Sequence, residues 1–283
     1  MIRSAYSPFL DSQIWPHINR RNDDIIIATY AKFGRLRMQV IIDELIRTSM
    51  GQQSSLLPWV ELRHPESKTR IARINEFRGR RVLRTHLPAD KVYSRSGKYI
   101  FVGRDPRDLV FNMFHFLKEA DQDWYDYFSR YGAQLNRPAK SFEAFWDNWM
   151  KNDGKPIWPY FSHLQSWWEK REEPNVLLIH FLDFKANMEK ELRRISEFLD
   201  LTIKTEDWPD AVEACGFCKI SETCHEKIPM DNLFWNGGNG SRKKNVSASH
   251  WKETLTGTHD SIVENRIVGL IGKTGRDWLL KVK

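Results

Sequence analysis

The sequence predicts an α/β domain in which a central parallel sheet is flanked by helices. Short β-branched runs alternate with helical segments of about 10–15 residues, which is the pattern of right-handed βαβ units. The first run leads through a glycine-bearing turn into a helix, a layout that places backbone N–H groups around an anion. No internal repeat and no long linker divides residues 1–283, so we expect one domain.

Four strands are predicted in chain order. Residues 24–30 (DIIIATY) form a β-branched run bounded by polar residues, which is typical of a buried strand. The other three are residues 81–85, 98–103 and 175–181. We expect about four or five parallel strands in all, with a ligand at their carboxyl-terminal edge.

Helices are predicted between and after these strands. Apolar residues recur at helical spacing in several segments. These segments are residues 38–46, 109–120, 142–151, 162–171, 188–199 and 260–280. Residues 228–256 are instead rich in Gly, Asn and Lys, and we expect a loop there.

Composition narrows the class of protein. Apolar residues make up 41% of the 283, enough for a sizeable core, and no run approaches the about 20 apolar residues of a membrane helix. The N-terminus lacks the apolar region of a secretory signal, and three cysteines make no disulfide framework, so we expect a cytoplasmic protein. The net charge of +7 favours an anionic partner, and charge alone does not choose among phosphate, nucleic acid and acidic membrane.

Five segments resemble, in the same order, the landmarks of one known family. Residues 24–34 resemble its 5′-phosphosulfate loop, T-Y-P-K-S-G-T-T-W, and residues 84–88 (RTHLP) resemble its K-T-H-L-P. Residues 99–116 resemble its 3′-phosphate motif, and residues 175–201 resemble the strand and helix through L-x-Y-E-D-x-K and I-x-x-F-L-G. The segment ending in HWKETLT resembles its R-K-G-x-x-G-D-W-K loop. The family is that of the cytosolic sulfotransferases that use 3′-phosphoadenosine 5′-phosphosulfate.

The resemblance implies the fold and the reaction. A sulfuryl group would move from 3′-phosphoadenosine 5′-phosphosulfate to a hydroxyl or amine of a small-molecule acceptor, without a metal. Lys32 matches the loop lysine that steadies the leaving group, and His86 matches the general base. An imidazole suits that role because its unperturbed pKa of about 6.5 lies near the operating pH. Arg84 stands where the family often has a lysine, and we count it with the catalytic residues.

The resemblance also implies the contacts to the nucleotide. Arg104 matches the arginine of the 3′-phosphate, which a guanidinium can bind bidentately. Asn112 stands at the family's serine position, where its amide can still donate a hydrogen bond. The remaining implied contacts are Lys32, Gly34, Arg35, Phe217 (on adenine), Arg242, Lys243 and Lys244. From the residues alone, other roles stay open: a salt bridge of Arg104 with Asp105 or Asp108, a core Phe217, a surface Lys32 and a structural His86.

Two of the three ligand-binding segments depart from the family pattern. Residues 33–37 (FGRLR) replace S-G-T-T-W, so the hydroxyls and the tryptophan are missing while two arginines add charge. Residues 244–246 (KNV) stand where R-K-G is expected, and Arg242, Lys243 and Lys244 lie at or just upstream of it. The alternative function is therefore a weakened or inactive protein of this fold that binds another anionic ligand or a polyanion.

Other signals favour no further partner. The nucleoside-triphosphatase pattern G-x-x-x-x-G-K-[ST] is absent from the sequence. Cys215, Cys218, Cys224 and His225 lack a second ligand pair at zinc-finger spacing, so we expect no metal. We expect neither a membrane nor a nucleic acid as partner, and the sequence leaves the oligomeric state open, a homodimer included.

Overall fold

One five-stranded parallel sheet forms the centre of the computed structural model. The structure describes residues 11–30, 35–51, 55–61, 67–120, 122, 125–126, 129, 136–138, 141–154, 159–216, 250–255 and 257–281. The strands are β1 (Ile25–Thr29), β2 (Ser55–Trp59), β3 (Arg81–Thr85), β4 (Lys98–Gly103) and β5 (Val176–His180). Their order across the sheet is β2-β3-β1-β4-β5, and every pairing is parallel. The four predicted strands and the parallel α/β sheet are confirmed.

Helices lie between and after the strands. They are α1 (Arg35–Met50), α2 (Ser67–Glu76), α3 (Ala89–Val92), α4 (Pro106–Glu119), α5 (Phe142–Lys151), α6 (Tyr160–Trp168), α7 (Phe181–Ala186), α8 (Met188–Phe198), α9 (Trp208–Ala214) and α10 (Gly257–Leu280), with short 3₁₀ helices at Ser12–His17, Thr205–Asp207 and His250–Glu253. All six predicted helices are present. None of the described helices combines the length and the apolar character that a membrane span requires.

The two faces of the sheet carry separate hydrophobic cores. Successive residues of a strand point to opposite faces, so Ile25 and Ile27 pack on one side while Ile26 and Ala28 pack on the other. The first core lies under α1, α8 and α9, and the second lies under α4, α5, α6 and α10. Because both faces are covered, the central strands read as unbroken apolar runs rather than as alternating ones, which made β1 visible in the sequence.

Strand β2 was missed by the sequence analysis, and its position explains why. It lies at the edge of the sheet and contains Pro58, which has no N–H to donate to a ladder. Its register with β3 shifts between Leu56 and Trp59, around that proline. A short run interrupted by proline does not have the pattern of a strand, although an edge position tolerates it.

The C-terminal helix α10 packs against the ends of β4 and β5. It bends at Gly272, whose φ of 73° is in the region that glycine adopts readily. Beyond the bend, the ring of Trp278 lies so close to Gly103 that a Cβ on this glycine would sit 2.2 Å from it. The imidazole Nε2 of His180 donates to the carbonyl of Leu279 at 2.9 Å, because a carbonyl can only accept. The ends of β4 and β5 are thereby fixed to α10.

Candidate active site

Two of the predicted site residues that the structure describes, His86 and Arg104, lie at one edge of the sheet. In the sheet, β1 lies between β3 and β4. His86 directly follows β3, and Arg104 directly follows β4. Since the carboxyl ends of parallel strands meet at the same edge, the fold brings these two side chains to either side of the end of β1.

The tautomer of His86 is set by the main chain of β1. Its Nδ1 lies 2.6 Å from the carbonyl oxygen of Thr29 and 3.1 Å from the hydroxyl of the same residue. A carbonyl oxygen can only accept, so Nδ1 carries the proton in the neutral ring and Nε2 carries the lone pair. The residue is only 1% exposed, which shields the ring from bulk water. This is the arrangement that a general base requires.

Strand β2 supports His86 from the other side. The Glu61 Oε1 accepts hydrogen bonds from the backbone N–H of His86 and from the hydroxyl of Thr85, both at 2.6 Å. The indole ring of Trp59 stands edge-on to the imidazole, with 4.2 Å between ring centroids. Burial raises the pKa of Glu61, and the hydrogen bonds from Thr85 and His86 oppose that rise. Sequence analysis missed both residues because Trp59 ends the unpredicted strand and Glu61 lies in the turn after it.

Arg84 is held within the sheet rather than beside His86. It lies two residues after Val82 in β3, so its side chain is on the face covered by α1. Its carbonyl accepts from the N–H of Val60 at 3.3 Å, and the residue is 6% exposed. Arg84 therefore faces the helix that starts at Arg35, whereas His86 follows the end of the strand.

Arg104 and Asn112 meet at one carboxylate. The guanidinium of Arg104 is ion-paired with Asp108 and lies 4.6 Å over the ring of Phe181. The amide of Asn112 donates to the carbonyl of Asp108 at 2.6 Å and to its Oδ1 at 3.2 Å. Of the two salt bridges that the sequence left open, the one with Asp108 is formed. The two residues predicted to bind the 3′-phosphate are thus neighbours, and Asp108 orients both.

A second ion cluster joins α4 to the C-terminal part of the chain. Asp105 caps α4, accepting from the backbone N–H of Arg107 at 2.9 Å, and pairs with the guanidinium of Arg107 at 2.6 Å. The same guanidinium reaches Asp260 at 2.7 Å and lies 4.2 Å over the ring of Trp251. Burial raises the pKa of Asp105, and the contacts with Arg107 oppose that rise. Trp251 belongs to the HWKETLT segment, so that segment is held against α4.

A small cavity lies beside Arg104 at the end of β4. Its lining includes Tyr30, Arg104, Tyr160 and His163. His163 is buried, and burial lowers the pKa of its imidazole to about 3. The Tyr160 hydroxyl donates to the carbonyl of Arg104 at 3.1 Å, and the Tyr30 hydroxyl donates to that of Gly154 at 3.1 Å. Tyr30 follows the end of β1, and its ring packs edge-on against the rings of Tyr160 and His163.

Several predicted site residues lie outside the described part of the chain. They are Lys32, Gly34, Phe217, Arg242, Lys243 and Lys244, together with the side chain of Arg35. The backbone of Arg35 is described, and it begins α1. Within the described residues, no group of three His, Cys, Asp or Glu side chains is arranged to hold a metal. Cys215 is buried, and burial raises the pKa of its thiol to about 12.

Known proteins resemble this chain over most of its length. A family model described as the sulfotransferase domain matches residues 22–275. Sulfotransferase 1A1 of Rattus norvegicus is 26% identical over 263 residues, which cover 88% of this chain and 82% of that protein.

Two solved structures share the fold. One is mouse sulfotransferase SULT7A1 complexed with PAP, at a TM-score of 0.72 and 18% identity, covering 95% of this chain and 93% of the other. The second is retinol dehydratase in complex with androsterone and inactive cofactor PAP, at a TM-score of 0.66 and 19% identity, covering 92% and 84%.

Proposed function

The chain belongs to the sulfotransferase domain family, and we propose that His86 is the general base of its reaction. The protein is a transferase that moves a sulfuryl group from 3′-phosphoadenosine 5′-phosphosulfate to a small-molecule acceptor. The observation that carries the role of His86 is the contact between its Nδ1 and the carbonyl of Thr29 at 2.6 Å. That contact leaves Nε2 as the nitrogen that accepts a proton.

The step at His86 follows from this tautomer. As the acceptor oxygen forms its bond to sulfur, its proton passes to Nε2 and the bond between sulfur and the phosphate oxygen breaks. The imidazolium then donates through Nδ1 to Thr29, so the positive charge forms in a site already built to hold it. Adenosine 3′,5′-bisphosphate and the sulfated acceptor are the products.

The donor side is proposed from the groups at the same edge. We propose that Arg104 and Asn112 hold the 3′-phosphate and that Lys32, Arg84 and Arg35 act near the 5′-phosphate, beside the N-terminus of α1. The guanidinium of Arg104 and the amide of Asn112 share Asp108 as a neighbour, and α1 starts after β1 at the same edge of the sheet. Such hydrogen-bond donors suit a nucleotide bisphosphate. Gly34, Phe217, Arg242, Lys243 and Lys244 complete the proposed contacts. No metal is needed for this chemistry.

The proposal extends to the acceptor, the location and the domain organisation of the chain. We propose a hydroxyl group on the acceptor, a cytoplasmic location and one domain over residues 1–283. The small-molecule acceptor is supported by the androsterone complex of retinol dehydratase. The single domain is supported by the one sheet that carries both hydrophobic cores. A homodimer is compatible with the fold and belongs to the same proposal.

Donor-dependent turnover tests the proposed function. The chain is incubated with 3′-phosphoadenosine 5′-phosphosulfate and a panel of phenols, alcohols and amines, and sulfated products are identified by mass spectrometry. Turnover with at least one acceptor, together with one-to-one binding of adenosine 3′,5′-bisphosphate in calorimetry, is expected. Neither turnover nor binding, with affinity for heparin that falls steeply with salt, would instead support the inactive polyanion-binding alternative. The comparisons contain nothing that favours that alternative.

A further inference from the structure

A buried carboxylate stands behind the proposed base. Glu61 follows β2 at the edge of the sheet, and its side chain is fully buried. Its Oε1 accepts from the backbone N–H of His86 and the hydroxyl of Thr85, and its Oε2 accepts from the indole N–H of Trp15 at 3.2 Å. Both oxygens receive hydrogen bonds, which is the pattern of an ionised carboxylate.

The carboxylate is placed to fix where the His86 ring lies. The ring of His86 is bonded to Thr29 of β1, and the backbone N–H of His86 is bonded to Glu61, which follows β2. Thr85, the last residue of β3, bonds to Glu61 and in turn accepts from the N–H of Leu87 at 3.0 Å. The turn that carries His86 is therefore bonded to Glu61 at residues 85 and 86, and through Thr85 at residue 87.

A cation offsets the buried charge of Glu61. Arg70 of α2 is itself buried and donates from Nε to the carbonyl of Val60 at 2.9 Å, next to Glu61 in the chain. Burial lowers the pKa of Arg70 to about 10, and the charge of Glu61 opposes that fall. A charged carboxylate at this depth needs partners of this kind, because an unpaired one is strongly disfavoured.

We propose that Glu61 is a positioning residue for the reaction, one that acts through His86. It holds the turn after β3 so that Nδ1 of His86 meets the carbonyl of Thr29 and Nε2 faces the acceptor. This inference rests on the proposed role of His86 as the base. Loss of the carboxylate should displace the imidazole while leaving the nucleotide contacts around Arg104 unchanged. A displacement of about 1 Å in a reacting group lowers turnover by about 100-fold.

Two substitutions and a matched control test the proposal. Glu61→Leu removes both acceptor oxygens, and Glu61→Gln keeps one of them. The control is Asp24→Asn, which removes another buried carboxylate, one that is paired with Arg81. Asp24 lies just before the start of β1, whereas His86 contacts Thr29 at the end of that strand. For each variant, kcat, KM for the acceptor, the Kd of adenosine 3′,5′-bisphosphate and the midpoint of thermal unfolding are measured. The tautomer of His86 is measured by ¹⁵N NMR of its ring.

The expected result separates positioning from stability. Glu61→Leu should lower kcat by about 100-fold and Glu61→Gln by about tenfold, with KM and Kd nearly unchanged. Both should show loss of the single Nδ1–H tautomer. Asp24→Asn should lower the unfolding midpoint and leave kcat and the tautomer as they are.

Three results would overturn the proposal. One is a folded Glu61→Gln protein with wild-type kcat and the wild-type tautomer. The second is a loss of kcat in Asp24→Asn as large as in the Glu61 variants, since stability would then explain both. The third is a loss confined to nucleotide affinity. If Glu61→Leu does not fold, Glu61→Gln and its NMR spectrum decide. Absence of turnover in the wild-type chain, or full turnover in His86→Ala, would refute the proposed function instead, and the tautomer would still test Glu61.

Discussion

The two sides of β1 hold their functional side chains in different ways. On the β3 side, the ring of His86 is bonded to a main-chain carbonyl, and its backbone N–H is bonded to a buried carboxylate. On the β4 side, Arg104 is ion-paired with Asp108, and Arg107 is paired with Asp105 and Asp260. The proposed base is therefore held by a neutral carbonyl, whereas Arg104 and Arg107 already have anionic partners. A phosphate on this side must share Arg104 with Asp108.

The ion pairs around α4 affect which residues of the chain attract an anionic ligand. The ion pairs around α4 offset much of their own positive charge, so the arginines described there attract an anion less than their number implies. The chain nevertheless carries a net charge of +7. The proposed cations of the first and last loops, Lys32, Arg35 and Arg242–Lys244, would then supply much of the attraction, while Arg104 supplies geometry.

The largest effect is expected on the base side. His86→Ala should lower kcat/KM by about 1,000-fold, because general base catalysis contributes about 100- to 10,000-fold. The Kd of adenosine 3′,5′-bisphosphate should stay within about twofold of wild type if the two sides are independent. Turnover is measured under donor saturation, and Kd by calorimetry. Retained turnover would remove His86 from the mechanism, and a large loss of affinity would show that the sides are coupled.

The next effect is expected on the phosphate side. Arg104→Ala should weaken the binding of adenosine 3′,5′-bisphosphate by about 10- to 100-fold, since a hydrogen bond to a charged group is worth about 1.5–3 kcal/mol. Arg104→Lys should restore only part of it, because an ammonium cannot bind phosphate bidentately. Calorimetric titration measures both variants. An unchanged Kd in Arg104→Ala would mean that Arg104 serves only its pair with Asp108.

The buried imidazole of His163 should make the stability of the fold depend on pH. His163 has a folded-state pKa of about 3 against 6.5 in the unfolded chain, so the unfolded state binds more protons between these values. Stability should therefore fall as pH is lowered, by about 2 kcal/mol between pH 6.5 and pH 5 from this residue. Urea unfolding at a series of pH values measures it.

The matched variant for this prediction is His163→Phe, which keeps an aromatic ring and removes the titration. It should lose part of the pH dependence, while His180, whose pKa burial lowers to about 4, keeps its own share. An identical pH dependence in both proteins would show that His163 does not link protonation to unfolding.

The smallest effect is expected at Asn112. Asn112→Ala should weaken nucleotide binding by a few-fold, less than Arg104→Ala, because the amide carries no charge and already donates to Asp108. Asn112→Ser, which installs the residue expected from the family pattern, should bind within about twofold of wild type. Both Kd values come from the same titration as for Arg104. Equal loss in the two variants would show that Asn112 acts by supporting Asp108 and not by donating to phosphate.

Most of the fold was predictable because its signals are local. The run IIIAT of β1 and the amphipathic pattern of α8 identify buried elements by composition and period alone. β2 was not predictable, because a proline in an edge strand breaks the pattern that the sheet itself tolerates.

The site was predictable only in part. His86 and Arg104 stand in motifs, and the fold placed them at one edge of the sheet as expected. Glu61 and Thr29 act through contacts made across 25 and 57 positions of the chain, which no local pattern records. The pairing of Arg104 with Asp108 was left open because spacing allows either aspartate, and only the path of α4 decides.

The contact between His86 and a main-chain oxygen bears on how this site can evolve. Every residue type offers the same carbonyl, so substitutions at position 29 that leave β1 in place also leave the tautomer of the base in place. The hydroxyl of Thr29 is a second, replaceable contact. Selection can therefore alter the side chain at position 29 while the main-chain contact that orients His86 stays in place.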